Sequence, residues 1–142
     1  MTKRKLLYSF CLFLFLIGTS SCTFKDSSKI NTYNFTVYAS DWQWNNQTGR
    51  YECFFDFPEL DYHTFEVGAI VGAVYINEGG YETQKNLPFS KTFLSTSGAY
   101  TETISFDTSS GNPGSVGFYI ETSDKRGTYL ATYDFKITLI GY

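Results

Sequence analysis

Histidine is nearly absent from this 142-residue chain: His63 stands alone. A catalytic triad or a histidine-based metal cage would rest on that one imidazole. Its neighbours Asp61 and Tyr62 read as a turn, so His63 is expected in an exposed loop. Cysteine is also scarce, at three residues. Beyond a short leader the chain offers too few His and Cys for the usual four zinc ligands, and no cofactor is implied. No Gly-x-Ser-x-Gly elbow, phosphate-cradling loop or His-Glu-x-x-His pair occurs. Basic residues number 11 against 14 acidic ones. Without a polybasic patch, a nucleic-acid partner is not expected. The apolar run Leu6–Ile17 holds 12 residues, short of the ~20 that a spanning helix needs.

That run has a specific context. Lys3, Arg4 and Lys5 precede it, and Gly18-Thr19-Ser20-Ser21 leads from it to Cys22. A positive start, an apolar centre and a small-residue end make the three-part pattern of a secretory signal. A cysteine directly after small residues resembles the lipobox of bacterial lipoproteins, although Thr19 replaces the usual leucine. The resemblance implies cleavage before Cys22 and a diacylglycerol on its thiol. Residues 1–21 are then the signal peptide and 22–31 a polar tether. Residues 32–142 are one domain. Cys11 leaves with the leader and Cys22 is consumed by lipid, so Cys53 remains alone and no disulfide is expected within the domain. Removing three basic leader residues brings the net charge from −3 to about −6. An acidic surface adds no attraction to anionic lipid, so membrane attachment is expected to come from the acyl chains.

Beyond the tether the pattern is that of strands. Tyr33–Ala39, Tyr51–Phe57, Ala99–Phe106, Ser115–Thr122 and Tyr133–Ile140 alternate with period two, the signature of a half-buried strand. Phe65–Ile76 is apolar on both faces and reads as one central strand, or two with a bend at Gly68 or Gly72. Leu87–Leu94 contains Pro88, which suits an edge or a strand start. Asn-, Gly- and Pro-rich breaks separate these runs, and no window shows a helical period over three turns. The expectation is an all-β, antiparallel sandwich of about seven strands, immunoglobulin-like, with a jelly roll or small barrel as the alternative. Its core is expected to take Phe35, Val37, Tyr51, Phe55, Val71, Phe118, Ile120, Phe135, Ile137 and Leu139.

Aromatic residues, at 20% of the chain, are the one compositional excess. Asp41-Trp42-Gln43-Trp44-Asn45 concentrates them. On a strand, Trp42 and Trp44 share a face. Exposed, they form a platform for a sugar ring or a peptide, with Asp41, Gln43 and Asn45 as hydrogen-bond partners. Buried, they fill the core. Cys53 alternates with Tyr51, Phe55 and Phe57, which favours a packed thiol over a nucleophile. Asp56 and Glu59 flank a strand end. They are the carboxylates on which a glycan hydrolase would have to rest, against a solvated acidic turn.

Taken together, the lipobox leader, Trp42-x-Trp44, the Gly68 to Tyr75 segment, Leu87-Pro88, Gly117-Phe118-Tyr119 and Phe135 to Ile140 resemble small β-sandwich lipoproteins of Bacteroidetes-type bacteria. The resemblance implies an outer-envelope lipoprotein. It supplies no activity and no site residues. Thr23 replaces the aspartate that retains such proteins at the inner membrane, which fits the outer membrane. The expected function is therefore a non-catalytic envelope protein that binds a glycan or a protein, or serves in an assembly. A carboxylate-dependent hydrolase is the alternative.

Overall fold

The computed structural model describes residues 29–96, 98–125 and 130–141. The leader and Cys22 lie outside them. Two antiparallel sheets make up 65% of the described chain, with one short helix beside them. Strands β1 (Lys29–Val37), β4 (Ala69–Glu78), β5 (Tyr81–Asn86) and β9 (Tyr133–Gly141) form one sheet, in the order β1-β9-β4-β5. Strands β2 (Gln43–Asn45), β3 (Arg50–Asp56), β6 (Phe89–Ser95), β7 (Gly98–Ser109) and β8 (Ser115–Thr122) form the other, in the order β2-β3-β8-β7-β6. The all-β antiparallel sandwich expected from the alternation is the fold observed, and neither sheet closes into a barrel.

The strand order adds detail. In the immunoglobulin constant domain the first strand pairs with the second. Here β1 pairs with β9, and β3 with β8. That nested pairing is shared with a jelly roll, whereas β4-β5 and β6-β7 are local hairpins. Nine strands are present among the described residues rather than about seven. Two went unread: β2 is three residues long, and β5 is the polar run YETQKN. β1 starts at Lys29, so residues 29–31, expected in the tether, are strand. Pro88 immediately precedes β6, which is an edge strand, so both the strand start and the edge suggested by the proline are found.

The core lies between the sheets. Phe118 of β8 stacks on Phe135 of β9 with ring centroids 4.0 Å apart. Val37, Val74, Ile104, Val116, Ile120, Ile137 and Leu139 close around them. Phe35, Tyr51 and Phe55 are half-buried and pack against this cluster. Val71 departs from expectation. β4 begins at Ala69, after a short helix, α1 (Tyr62–Val67), and its even positions face the core. Odd-numbered Val71 therefore points outward and is 46% exposed. Gly72 faces inward, where a Cβ would stand 2.4 Å from the Phe106 ring of the opposite sheet. The missing side chain is what lets Phe106 enter the core.

Helix α1 also replaces the loop expected around His63. Asp61 caps it: its carboxylate accepts from the Thr64 N–H at 2.6 Å. That hydrogen bond holds the Asp61 carboxyl below its ordinary range. His63 is exposed on the first turn.

Candidate functional site

Trp42 and Trp44 do not form a platform. β2 begins only at Gln43, so Trp42 lies before the strand and the shared-face rule does not reach it. Trp42 is 6% exposed. Its ring meets Tyr133 and Phe135 edge-on, and its Nε1–H donates to the Ala131 carbonyl at 3.2 Å. It fills the core at one flank of the sandwich. Trp44 is 37% exposed; its ring meets Tyr51 edge-to-face at 5.0 Å. Its Nε1–H donates to Asn46 Oδ1 at 2.9 Å.

Burial of Trp42 has a consequence at the sheet edge. It draws residues 40–42 away from β3, so β2 pairs only with Arg50, Tyr51 and Glu52. Beyond Glu52, β3 has no strand beside it on that side among the described residues. A notch of about 900 Å³ opens there. Ser40, Asp41, Gln43, Trp44 and Asn45 lie on one side and Glu52, Cys53, Phe54 and Phe55 on the other. Four of the five residues singled out in the sequence thus meet on one concave surface, and Trp42 does not.

Their polar groups have different duties. Asp41 accepts from the Tyr38 N–H at 3.0 Å and, with the Asp41 N–H bonded to the Tyr38 carbonyl, holds the turn between β1 and β2. Asn45 Oδ1 accepts from the Gln47 N–H at 2.8 Å, and its Nδ2 donates to Glu52 at 3.0 Å. Gln43, Asn46 and Gln47 are exposed around the notch. Arg50 Nε is 2.8 Å from Glu52 Oε1 and Thr48 donates to the same oxygen. The Arg50 bond leads in holding the Glu52 carboxyl below the ordinary glutamate range. Two residues before Glu52, the Arg50 guanidinium lies 3.7 Å over the Tyr119 ring. Tyr119 donates to Asp107 at 2.6 Å and is only 5% exposed although it sits on the outer face. Gly117 permits this, since a Cβ there would meet the Tyr119 hydroxyl at 2.4 Å. Burial, then the bond to Asp107, pushes the Tyr119 phenol well above its usual range.

The other sequence candidates fall elsewhere. Cys53 is buried, and burial pushes its thiol up, away from the thiolate a nucleophile needs. Asp56 and Glu59 line a separate depression of about 470 Å³ with Tyr33 and Asn34. Among the described residues, no group of three or more His, Cys, Asp or Glu is placed to hold a metal ion. A second cleft went unread. Between the sheets, Phe89, Lys91, Phe93, Ile76, Glu102 and Tyr133 line a cavity of about 280 Å³. Glu102 is 7% exposed, and the Tyr133 hydroxyl is 3.4 Å from its Oε1. Burial, then the neighbouring Glu102 charge, pushes Tyr133 up to about 12. The sequence carried the signal: Glu102 shares its parity with Ile104 and Phe106, so an inward carboxylate was readable.

The fold and notch define a class, an open β-sandwich with a polar-aromatic groove at one sheet edge. No protein-family model, no curated protein and no solved structure matches the chain.

Proposed function

We propose that the protein is a lipid-anchored envelope protein without catalytic activity, which binds a glycan in the notch beside Trp44. The observation that carries the reading is the convergence of Asp41, Gln43, Trp44 and Asn45 on one concave surface. A half-exposed indole offers a face for the C–H side of a sugar ring. Exposed amides at its rim offer donors and acceptors for hydroxyls. Cys22 supplies the anchor, and the outer membrane is its proposed location. A glycan array on the anchored protein tests the binding. Trp44→Ala is expected to weaken the best ligand at least tenfold, about 1.4 kcal/mol. Equal binding by wild type and Trp44→Ala would discard the glycan site.

A protein ligand has its own support, because β3 lacks a strand neighbour beyond Glu52 on the notch side. An extended peptide could add there by main-chain hydrogen bonds. The hydrolase alternative rests on Asp56 and Glu59 lining one depression. A hydrolysis screen on the same array decides it: turnover that is lost in Asp56→Asn or Glu59→Gln would replace the binding reading with the enzymatic one.

A further inference from the structure

We infer that the end of the sandwich from which β1 starts docks onto a lipid bilayer surface, through the apolar side chains exposed on α1 and at the neighbouring strand ends. The inference rests on the lipid anchor proposed above. The register places Ile30, Ile140 and Ala69 side by side across β1, β9 and β4. Their parity is that of Thr32, Lys136 and Val71, so they lie on the outer face of the four-stranded sheet. Ile30 is 63% exposed and Ala69 is exposed. Val71, which the core does not use, continues the same face one row further on. Helix α1 ends beside this row: at Gly68 a Cβ would meet both the Ile140 carbonyl and the Thr64 carbonyl at 2.6 Å. The helix has no buried residue, and Tyr62 and Val67 are 70% and 50% exposed. Phe65, at 37%, adds a third apolar side chain.

What covers this patch follows from chain length. Lys29, the first residue of β1, is seven residues beyond Cys22. Seven residues reach at most about 25 Å when fully extended. An acyl-anchored Cys22 therefore holds the start of β1, and Ile30 with it, close to the headgroups. The opposite end of β4 is not held there by the tether, since the ten residues from Ala69 to Glu78 carry it roughly 30 Å further along the sheet. Charge at the patch is mixed, with Lys29 near Asp61 and Glu66 on α1. That balance fits apolar insertion into a zwitterionic surface rather than attraction to anionic lipid. Side chains of this kind settle at the boundary between headgroups and acyl chains, where tyrosine and phenylalanine are at home.

The test uses the full chain processed in cells, extracted and reconstituted in phosphatidylcholine–phosphatidylethanolamine vesicles. A fluorophore is placed at Ile30→Cys, Val67→Cys or, as the far-end control, Tyr81→Cys; Cys53 is buried and does not compete. The lipids carry a quencher near the top of the acyl chain, and palmitate incorporation is followed in parallel. Docking is expected to quench the probes at positions 30 and 67 at least about twofold more than at 81. Palmitate incorporation with equal quenching at all three positions overturns the docking and leaves the anchor standing. Absence of incorporation overturns the anchor and the docking with it. Disulfide-linked pairs of Val67→Cys without lipid quenching would assign the patch to a second copy and overturn the inference. A circular dichroism spectrum of each variant confirms that the sandwich is intact.

Discussion

Replacing Trp42 by alanine empties a site between Tyr133 and Phe135 and strands the Ala131 carbonyl. The expected loss is about 3–5 kcal/mol, read as a shift of the urea midpoint. Trp44→Ala, at an exposed edge, is expected to cost less than about 1 kcal/mol, so its effect on binding can be measured on folded protein. Gly72→Val drives two branches toward the Phe106 ring, and overpacking of this kind costs about 1–3 kcal/mol or more. Thermal unfolding of that variant gives the check. The two tryptophans also show where a sequence stops being legible. Both are large and apolar, and alternation assigns them one face. The structure separates them because the strand is three residues long and begins between them. Tyr119 is hidden for a related reason: its outer-face burial depends on Gly117 beneath it and Arg50 above it. Those are contacts that alternation does not encode.

At the scale of elements, β8 and β9 were the most legible strands. Val116, Phe118 and Ile120 alternate with smaller or amphipathic residues, as do Phe135, Ile137 and Leu139 with Asp134, Lys136 and Thr138. Helix α1 was not legible, because six residues give less than two turns of periodicity. Val71 was expected in the core because Phe65–Ile76 is apolar on both faces, but only the even positions of β4 face the opposite sheet, so Val71 lies on the outer side. The β2–β3 hairpin carries a pH dependence of its own. Glu52 is ionised in the fold by its bonds to Arg50, Asn45 and Thr48, and its folded value lies below its unfolded one. The contribution is therefore fully present above the unfolded glutamate value. It is lost as the pH falls through the lowered folded value. The Gly49 amide donates to the Asn45 carbonyl at 2.8 Å, and its protection from hydrogen exchange, taken relative to the intrinsic rate at each pH, is expected to fall across that window. Glu52→Gln should remove the pH step and cost about 1–2 kcal/mol at neutral pH.

For the whole molecule, the proposed address rests on one thiol. Cys22→Ala is expected to abolish palmitate labelling and to release the protein from the outer-membrane fraction. Labelling equal to wild type would remove the anchor. The sandwich itself does not depend on that outcome, because its core is built from residues 37–139.

The pairing of β1 with β9 sets a schedule for folding. β9 is the central partner of both β1 and β4, so the four-stranded sheet has no middle until residues 133–141 arrive. Phe35 and Val37, near the start of the domain, wait nearly one hundred residues for Phe135 and Tyr133. Contacts this distant in sequence slow folding, because loop closure must precede the gain from packing. A chain threaded through a membrane from its N-terminus would consequently remain open until its last strand had crossed. A chain ending before Tyr133 should show no cooperative unfolding transition, however much of the five-stranded sheet it still encodes.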